Sequence, residues 1–332
     1  MATRFFWLFL VLVFVLSGCG SDIRCVLDPE DDRLDVPDLP PVVDTGGAEN
    51  VFPPAEDRTL TFLFFSDMQA DPETGDYTAT GELLAGATSG VEWLSLVLIG
   101  GDTVNDGGNI DEWNDFWQAA GSSFDGLITA AVPGNHDNYA LLSGQFDHPS
   151  EAPQMPGEGF FYTFSSGPVF FLMLDSNIMG SANQRDIDWL QHELQSEAAT
   201  QADWRIVVMH HPMWPLTDHP RDIQRAATLR EFFLPLFEEY GVDLLLCGHQ
   251  HVYSRSLPMS GDSQTADGQG IVQIMAASGD KASYTIGERD FVAASGTAPN
   301  YLLVNVDESE LIIKAYNSEH LEIDEVRISK ND

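Results

Sequence analysis

The chain has 332 residues, of which 43% are hydrophobic and 11% aromatic, enough to bury a sizeable core in one large domain or two small ones. Its 52 acidic residues outnumber 15 lysines and arginines and give a formal charge of -37. Such a surface repels phosphate backbones, so duplex nucleic acid is not an expected partner. An anionic small molecule is disfavoured as well, unless divalent cations reverse the potential locally.

The N-terminal segment predicts a targeting signal rather than an element of the fold. Arg4 precedes an unbroken apolar run from Phe5 to Leu16, which is short for a membrane span and of suitable length for a signal peptide. The run ends in Leu16-Ser17-Gly18-Cys19, which resembles the lipobox of bacterial lipoproteins. An ordinary cleaved signal, or a short anchor with a chance cysteine, is the alternative interpretation.

The lipoprotein resemblance implies a signal peptide over residues 1–18 and a lipid on Cys19. Lipid chains anchor a protein to the membrane without spanning it. The expected location is therefore the bacterial cell envelope, on its periplasmic or extracellular face. Gly20 follows the cysteine, and in a host with two membranes this favours the outer one.

Residues 19–57 predict a disordered acidic tether between the lipid and the domain. The segment is rich in Asp, Glu and Pro, as in Asp28-Pro29-Glu30-Asp31-Asp32, and shows little periodicity. Cys25 lies in it, and a bridge to Cys247 is possible in an oxidising compartment, although a buried and inert Cys247 is the simpler expectation. Residues 58–328, without an internal repeat or second linker, are predicted to form one domain.

Apolar runs alternate with helix-like patterns throughout this domain. Near-continuous apolar runs are typical of strands that are covered on both faces. A hairpin is expected near the C-terminus, where two apolar runs flank a polar turn. An α/β fold is therefore predicted. The predicted strands cover residues 60–65, 94–99, 127–132, 169–174, 206–209 and 242–246, the helices 111–119, 185–196 and 226–240, and the hairpin 301–306 and 311–316.

Short polar clusters follow five of the apolar runs. Ligands in open α/β sheets gather beyond the carboxyl ends of strands, so these clusters are expected to meet. Side chains two residues apart in an extended segment point the same way. Asp67 and Gln69 can therefore face one metal ion, and so can His249 and His251. The clusters are Asp67-Met68-Gln69, Gly101-Asp102, Gly134-Asn135-His136-Asp137, His210-His211 and Gly248-His249-Gln250-His251.

The order of these clusters resembles the calcineurin-like metallophosphoesterase superfamily over roughly residues 60–256. The motifs Gly-Asn-His-Asp and Gly-His-Gln-His are the specific part of the likeness. The stretches from Trp204 to His210 and from His251 to Arg255 are similar to the purple acid phosphatase-like branch. The resemblance implies a four-layer α/β fold, in which a central β-sandwich is flanked by helices.

The resemblance also implies two divalent metal ions, with Mn, Fe, Mg and Zn as candidates. Gln69 stands where the superfamily usually has a histidine, and Asn105 stands where purple acid phosphatases supply a tyrosine, so a non-purple relative is implied. Gln69 either adds a carbonyl oxygen to an oxygen-rich site or does not touch the metal. The implied ligands are Asp67, Asp102 and His251 for one ion, and Asp102, Asn135, His210 and His249 for the other, with Asp102 bridging.

The implied reaction is hydrolysis of a small phosphoester, either a monoester or a diester. Two ions close together lower the pKa of a bridging water and hold the phosphoryl oxygens. His136 is expected to contact the substrate and to stabilise the transferring group or protonate the leaving oxygen. Asp137 is expected either to orient His136 or to cap the following turn.

The other polar residues near the clusters receive weaker expectations. His219 lies on a predicted loop and is a candidate for substrate contact. His211 is expected to be a packed neighbour of the site, and Asp175 to brace nearby loops. The alternative to an enzyme is a non-catalytic, metal-stabilised binding or scaffold lipoprotein, which the missing histidine at Gln69 favours.

Overall fold

The computed structural model describes residues 59–148, 160–177, 184–265 and 269–330. The predicted signal peptide, Cys19 and the acidic tether lie outside these residues and stay predictions. Among the described residues, no helix is both long enough and apolar enough to cross a membrane.

Two large sheets form the centre of the fold. The first has six strands, of which the three nearest the N-terminus run parallel to one another and the last three form an antiparallel meander. Its strands are β1 (Thr59–Phe65), β2 (Leu94–Ile99), β3 (Ile128–Ala131), β13 (Asn300–Asp307), β14 (Glu310–Asn317) and β15 (Glu322–Ser329). Their order across the sheet is β15-β14-β13-β1-β2-β3.

The second large sheet has seven strands. They are β4 (Tyr162–Ser166), β5 (Val169–Leu174), β6 (Trp204–Met209), β7 (Leu244–Cys247), β8 (Val252–Ser256), β11 (Val272–Met275) and β12 (Val292–Thr297). Their order is β12-β8-β11-β7-β6-β5-β4, and β5, β6, β7 and β11 are mutually parallel. A small separate hairpin joins β9 (Met259–Ser260) to β10 (Ser263–Gln264).

The helices connect the strands and cover the outer faces of the sheets. They are α1 (Thr78–Thr88), α2 (Ile110–Ala120), α3 (Tyr139–Leu142), α4 (Gln184–Leu194), α5 (Glu197–Gln201), α6 (Pro220–Phe232) and α7 (Leu234–Glu239), with a 3-10 helix at Gly121–Phe124. The predicted helices at 111–119 and 185–196 are confirmed in α2 and α4. The predicted helix at 226–240 is wrong as one element. Helix α6 begins at Pro220 and ends at Phe232, and Pro235, in the first turn of α7, has no N–H with which to continue the helical hydrogen bonds.

Strand β1 shows how the layers pack. Phe62 and Phe64 enter the apolar core between the sheets, whereas Leu63 and Phe65 enter the core beneath α1 and α2. Strands β5 and β6 alternate in the same way between the central core and the core beneath α4, α6 and α7. Burial on both faces explains the unbroken apolar runs of these strands. The predicted strands, the hairpin and the four-layer α/β fold are confirmed, and Cys247 is fully buried in β7.

Candidate metal centre

Five strand ends deliver the predicted ligands to one end of the sandwich. Asp67, Asp102 and Asn135 follow β1, β2 and β3 of the six-stranded sheet. His210 and His249 follow β6 and β7 of the seven-stranded sheet. The site is therefore built across both sheets, at the carboxyl ends of their parallel strands, as expected for open α/β sheets.

Two overlapping groups of side chains lie close enough together to hold a metal ion. Within each group the candidate ligand atoms lie within 4.8 Å of one another, and every member is buried. His210 belongs to both groups and so links them. The groups are Asp67 with Asp102 and His210, and His210 with His211 and His249.

His211 is close to the other imidazoles, but both of its ring nitrogens are already used. Nδ1 lies 2.7 Å from Oγ of Ser176, and Nε2 contacts the guanidinium of Arg225. Because a guanidinium only donates, Nε2 accepts and the proton is on Nδ1. Burial, followed by the charge of Arg225, holds the pKa of His211 well below its ordinary value. His211 is thus a packed neighbour of the site, as predicted, rather than a candidate ligand.

His210 and His251 each have one ring nitrogen fixed by a backbone carbonyl. Nδ1 of His210 lies 2.9 Å from the oxygen of Gly100, and Nδ1 of His251 lies 3.0 Å from the oxygen of Ala282. Carbonyl oxygens only accept, so each Nδ1 carries a proton and donates it. Each Nε2 then faces the site, and in the neutral ring it carries the lone pair that metal-binding histidines use.

His249 differs from His210 and His251, because it is fixed at Nε2 rather than at Nδ1. The residue that fixes it, Asp222, does not follow from the sequence motifs. Nε2 of His249 lies 3.1 Å from Oδ1 of Asp222, in the first turn of α6, which leaves Nδ1 for a cation. The second oxygen of Asp222 accepts from Nε2 of Gln250 at 3.1 Å. His219 lies at the rim, with its side chain 57% exposed and its Nδ1 3.9 Å from Asp222 Oδ1. His219 thus neighbours Asp222 rather than a predicted ligand.

Several buried polar atoms of the predicted ligands have no hydrogen-bond partner among the described residues. A buried polar group without a partner costs about 1–3 kcal/mol. These atoms are lone-pair donors of the oxygen and imidazole types that Mn, Fe, Mg and Zn accept. The residues present therefore fit divalent cations. The atoms are Asp67 Oδ1, Gln69 Oε1, Asn135 Oδ1, His210 Nε2 and His249 Nδ1.

Two pairs in the site are close but poorly aligned. His251 Nε2 lies 3.3 Å from Asp67 Oδ1, and His210 Nε2 lies 3.3 Å from Asp102 Oδ2. Asp67 Oδ1 and His210 Nε2 nevertheless lack a hydrogen bond of good geometry within the described part of the chain. We regard these pairs as electrostatic contacts, whose atoms become available as ligands once a cation takes the place of a proton.

Backbone strain is concentrated at the predicted ligands. Asp67, Asp102, His249 and His251 have φ angles of 48°, 54°, 76° and 52°, in the left-handed region that non-glycine residues rarely adopt. Such conformations persist only where surrounding contacts enforce them. The N–H of His249, for example, donates to Oδ2 of Asp67 at 2.8 Å. One carboxylate thus fixes the backbone of a ligand in the other sheet.

The carboxylates and imidazoles of the site shift the pKa values of one another. Burial alone raises the pKa of Asp102, but the nearby positive charge of His210 outweighs this and brings the pKa below its usual range. Burial alone lowers the pKa of His210, but Asp102 and then Asp67 outweigh it and raise the pKa to about 9. A cation binding here takes the place of that proton.

Asp137 does not orient His136, so the predicted contact is wrong. Its Oδ2 accepts from the N–H groups of Asp102 at 2.7 Å and Gly134 at 2.8 Å, which ties two ligand loops together. A cap on the following turn is not observed either. The backbone carbonyl of Asn105 lies 2.7 Å from Nδ1 of His136 and orients that ring. Burial, and then the charge of Asp102, raise the pKa of Asp137 to about 7.

Gln69 is fully buried and presents its carbonyl oxygen. Its Nε2 donates to the carbonyl of Val104 at 3.4 Å, whereas Oε1 has no partner among the residues that the structure describes. Asn105, in the position of the usual tyrosine, donates through Nδ2 to the carbonyl of Ala70 at 3.0 Å. Oε1 of Gln69 is therefore available to a cation, as the interpretation of Gln69 as an oxygen ligand requires.

Further contacts involve residues beside the predicted ligands. Nζ of Lys281 lies 3.1 Å from Nε2 of His136, and the Tyr284 ring stacks on His251 with centroids 5.4 Å apart. Neither residue follows from the motifs, although a lysine is conspicuous in a chain with a charge of -37. Asp175 accepts from the Tyr139 hydroxyl at 2.7 Å and braces that loop, as predicted.

The fold and the site together define a metallophosphoesterase. Residues 60–253 match the family model of the calcineurin-like phosphoesterases, and the chain belongs to that family. This family assignment agrees with the Asp and His cluster and supports divalent metals in the site.

Curated relatives place the chain near the purple acid phosphatases. An uncharacterized protein of Mycobacterium tuberculosis is 27% identical over 231 residues, which are 63% of this chain and 42% of that protein. Purple acid phosphatase 23 of Arabidopsis thaliana is 26% identical over 152 residues, 44% of this chain and 32% of that protein. The chain therefore spans less than half the length of these relatives.

Solved structures confirm the fold. Purple acid phosphatase PPD1 from yellow lupin (Lupinus luteus) seeds superimposes with a TM-score of 0.68 and 17% identity, over 84% of this chain and 55% of that chain. GAP50, the anchor in the inner membrane complex of Plasmodium, superimposes with a TM-score of 0.63 and 18% identity, over 83% of this chain and 90% of that chain.

Proposed function

We propose that the protein hydrolyses small phosphoesters, monoesters or diesters, with two divalent cations bound at the candidate metal centre. The observation that carries the proposal is the convergence of buried ligand atoms that have no other partner among the described residues. In the proposal, Asp67, Gln69, Asp102 and His251 hold one cation, and Asp102, Asn135, His210 and His249 hold the other.

When bound, the two cations supply Lewis-acid activation of water and stabilise charge on the phosphoryl group. The residues around them keep the site rigid. Asp137 fixes the backbone of Asp102, and Asp67 fixes the backbone of His249. Pre-aligned groups of this kind require little reorganisation during the reaction. The -37 charge of the chain is then offset where the anionic substrate binds.

His136 is the proposed catalytic residue beside the centre. Its ring is held by the Asn105 carbonyl at 2.7 Å, and its Nε2 lies next to the Lys281 ammonium. The backbone N–H of His136 donates to Oδ1 of Asp102 at 2.8 Å, which places this residue beside the proposed ligands. In the His136–Lys281 pair the Lys281 ammonium supplies positive charge and hydrogen-bond donors to a phosphoryl group, and Nε2 of His136, which accepts one of these donors, is the atom that exchanges a proton with the reacting group.

The direct test pairs elemental analysis of the purified protein with hydrolysis of p-nitrophenyl phosphate and bis(p-nitrophenyl) phosphate in defined metals. We expect two metal ions per chain and metal-dependent cleavage. His136→Ala is expected to lower kcat/KM about 100-fold or more. The matched control is His192→Ala, whose side chain is 81% exposed and whose loss should leave activity unchanged. Full activity of the His136 or an Asp102→Asn variant would contradict the mechanism.

The alternative is a non-catalytic, metal-stabilised binding or scaffold protein. The observation that favours it is the carboxamide of Gln69 in place of a histidine. GAP50, which is described as the anchor in the inner membrane complex of Plasmodium, has the same fold, so the fold by itself does not imply hydrolysis. One ion or none per chain, with no cleavage across an ester panel, is the result that supports this alternative.

We also propose that a lipid on Cys19 tethers the domain to the bacterial envelope. The support is the order of Arg4, the apolar run and the lipobox-like Leu16-Ser17-Gly18-Cys19. Cys19→Ala should abolish incorporation of a labelled fatty acid and release the protein from membranes, while Cys25→Ala should do neither. A Cys19→Ala protein that still incorporates the label would refute the tether.

A further inference from the structure

Lys281 occupies an unusual position for a cation in so acidic a chain. Of the three lysines, Lys314 pairs with Glu322 and Lys330 pairs with Asp243. Lys281 forms no ion pair with a carboxylate anywhere in the described part of the chain. Its Nζ instead lies 3.1 Å from the imidazole Nε2 of His136.

The backbone before Lys281 is fastened to the loop that carries Asp67 and Gln69. The N–H of Gly279 donates to the carbonyl of Asp67 at 2.8 Å, and the N–H of Asp280 donates to the carbonyl of Gln69 at 3.0 Å. A Cβ on Gly279 would lie 2.2 Å from the Gln69 oxygen, so a glycine is required for this close approach. The position of Lys281 is therefore coupled to one ligand loop.

The backbone after Lys281 is fastened to a second ligand. The carbonyl of Ala282 accepts from Nδ1 of His251 at 3.0 Å, and Oγ of Ser283 donates to the carbonyl of His251 at 2.6 Å. Lys281 thus lies on a short segment held between ligands of both sheets. Its half-buried side chain extends from this fixed backbone to His136.

The hydrogen bonds of His136 define which donors remain on Lys281. The Asn105 carbonyl only accepts, so Nδ1 of His136 carries a proton and Nε2 is an acceptor. One N–H of the Lys281 ammonium therefore points at Nε2 of His136. An ammonium has three donors, and the other two are available to an oxygen ligand. The strongest partner for such donors is a charged phosphoryl oxygen.

We propose that Lys281 is a substrate-binding residue, whose ammonium donates to an unesterified oxygen of the phosphoryl group beside His136. This inference deepens the proposed function and rests on it. It also assigns a preference, because a phosphomonoester carries more charge and more unesterified oxygens than a diester. Loss of Lys281 should therefore weaken binding of monoesters more than binding of diesters.

The test uses the full chain loaded with manganese and calorimetric titration with inorganic phosphate. Lys281→Met is expected to weaken phosphate binding about tenfold, the usual effect of losing one charged hydrogen bond. Lys281→Arg keeps the charge and should stay within about threefold of the wild type. Lys314→Met, at a surface ion pair, is the matched control and should bind phosphate as the wild type does.

Kinetics and metal content complete the test. In Lys281→Met the KM for p-nitrophenyl phosphate should rise in proportion to the loss of phosphate affinity. The KM for the bis-ester should rise less, and the metal content should be unchanged. Wild-type phosphate affinity in Lys281→Met, or loss of metal from that variant, would overturn the inference. A third outcome separates the two proposals. If the wild type cleaves no ester, and Lys281→Met binds phosphate more weakly than the wild type, the hydrolase proposal fails and the binding role of Lys281 is upheld.

Discussion

Oδ1 of Asp222 lies 3.1 Å from Nε2 of His249 and leaves the other nitrogen of that ring, Nδ1, as a buried lone pair without a partner in the described residues. A carboxylate in this position keeps the proton on Nε2 and makes Nδ1 the better ligand. Asp222 also accepts from Gln250, so its own orientation is fixed. Asp222 is therefore a positioning residue for the proposed ligand His249.

Asp222→Asn is expected to weaken the binding of one of the two cations by about 10- to 100-fold, because the amide can no longer set the protonation of the ring reliably. Competition with a chromophoric chelator measures this affinity directly. Asp218→Asn, which removes an exposed partner of Arg289, is the matched control and should leave metal binding unchanged. Equal affinities in wild type and Asp222→Asn would show that the contact does not act on the ligand.

Gln69→Ala tests whether Gln69 is a metal ligand. The substitution removes the buried Oε1, and we expect it to lower the affinity for one cation about tenfold while the other cation stays bound. Gln69→Glu retains an oxygen and adds a charge, and should bind metal at least as tightly as the wild type. Metal content after dialysis, measured for both variants, gives the answer. Two tightly bound ions in Gln69→Ala would mean that Gln69 is not a ligand.

Removal of metal should destabilise the whole domain, because the proposed ligands come from strands of both sheets. A ligand that binds only the folded state stabilises it by about 4 kcal/mol when present at about 1,000 times its dissociation constant. We therefore expect a chelator to lower the melting temperature by several degrees and added manganese to restore it. In Asp102→Asn the difference in melting temperature between the chelator-treated and the manganese-loaded protein should be smaller than in the wild type. An unchanged melting temperature in the wild type would argue against bound structural cations.

The central strands of the fold are predicted well, because each can be recognised from its own residues alone. The runs 94–99 and 169–174 are apolar on both faces, so each reads as a buried strand without knowledge of its neighbours. Strand β15 (Glu322–Ser329) is not predicted, because its sequence is mostly polar. It forms a strand by pairing with β14. Helix α1 has too weak an apolar stripe to be recognised from its sequence.

The candidate ligands are likewise predicted from local motifs, whereas their supporting residues are not. Asp222 reaches His249, in the turn after β7, from helix α6, and Lys281 reaches His136 across 145 positions of the chain. No spacing rule links such residues, since they meet only when both sheets are assembled. The role of Asp137 is missed for the same reason, because its partner is the backbone N–H of Asp102, 35 residues away.

The last prediction concerns pH and an ion pair that joins the two sheets away from the metal centre. Asp324 on β15 accepts from Nε of Arg255 on β8 at 2.6 Å and from Nη2 at 3.2 Å, and the Tyr253 hydroxyl donates to it as well. Burial raises the pKa of Asp324, but the hydrogen bonds from Arg255 and Tyr253 outweigh this and lower it below its ordinary value. Because the folded-state pKa is depressed, the pair stabilises the fold above the ordinary carboxyl pKa, near 4, and the contribution is lost as the pH falls through the lower folded-state value.

Asp324→Asn should therefore lower the free energy of unfolding by about 1 kcal/mol at pH 7, a charged hydrogen bond discounted for partial exposure to solvent. The difference between the variant and the wild type should shrink steadily below about pH 4. Urea unfolding of both proteins across this range measures it. Glu310→Gln, whose partner Arg327 has a side chain 52% exposed, should change stability much less than Asp324→Asn at either pH. A difference that stayed constant from pH 7 to pH 3 would show that packing, and not the charge of Asp324, connects β15 to β8.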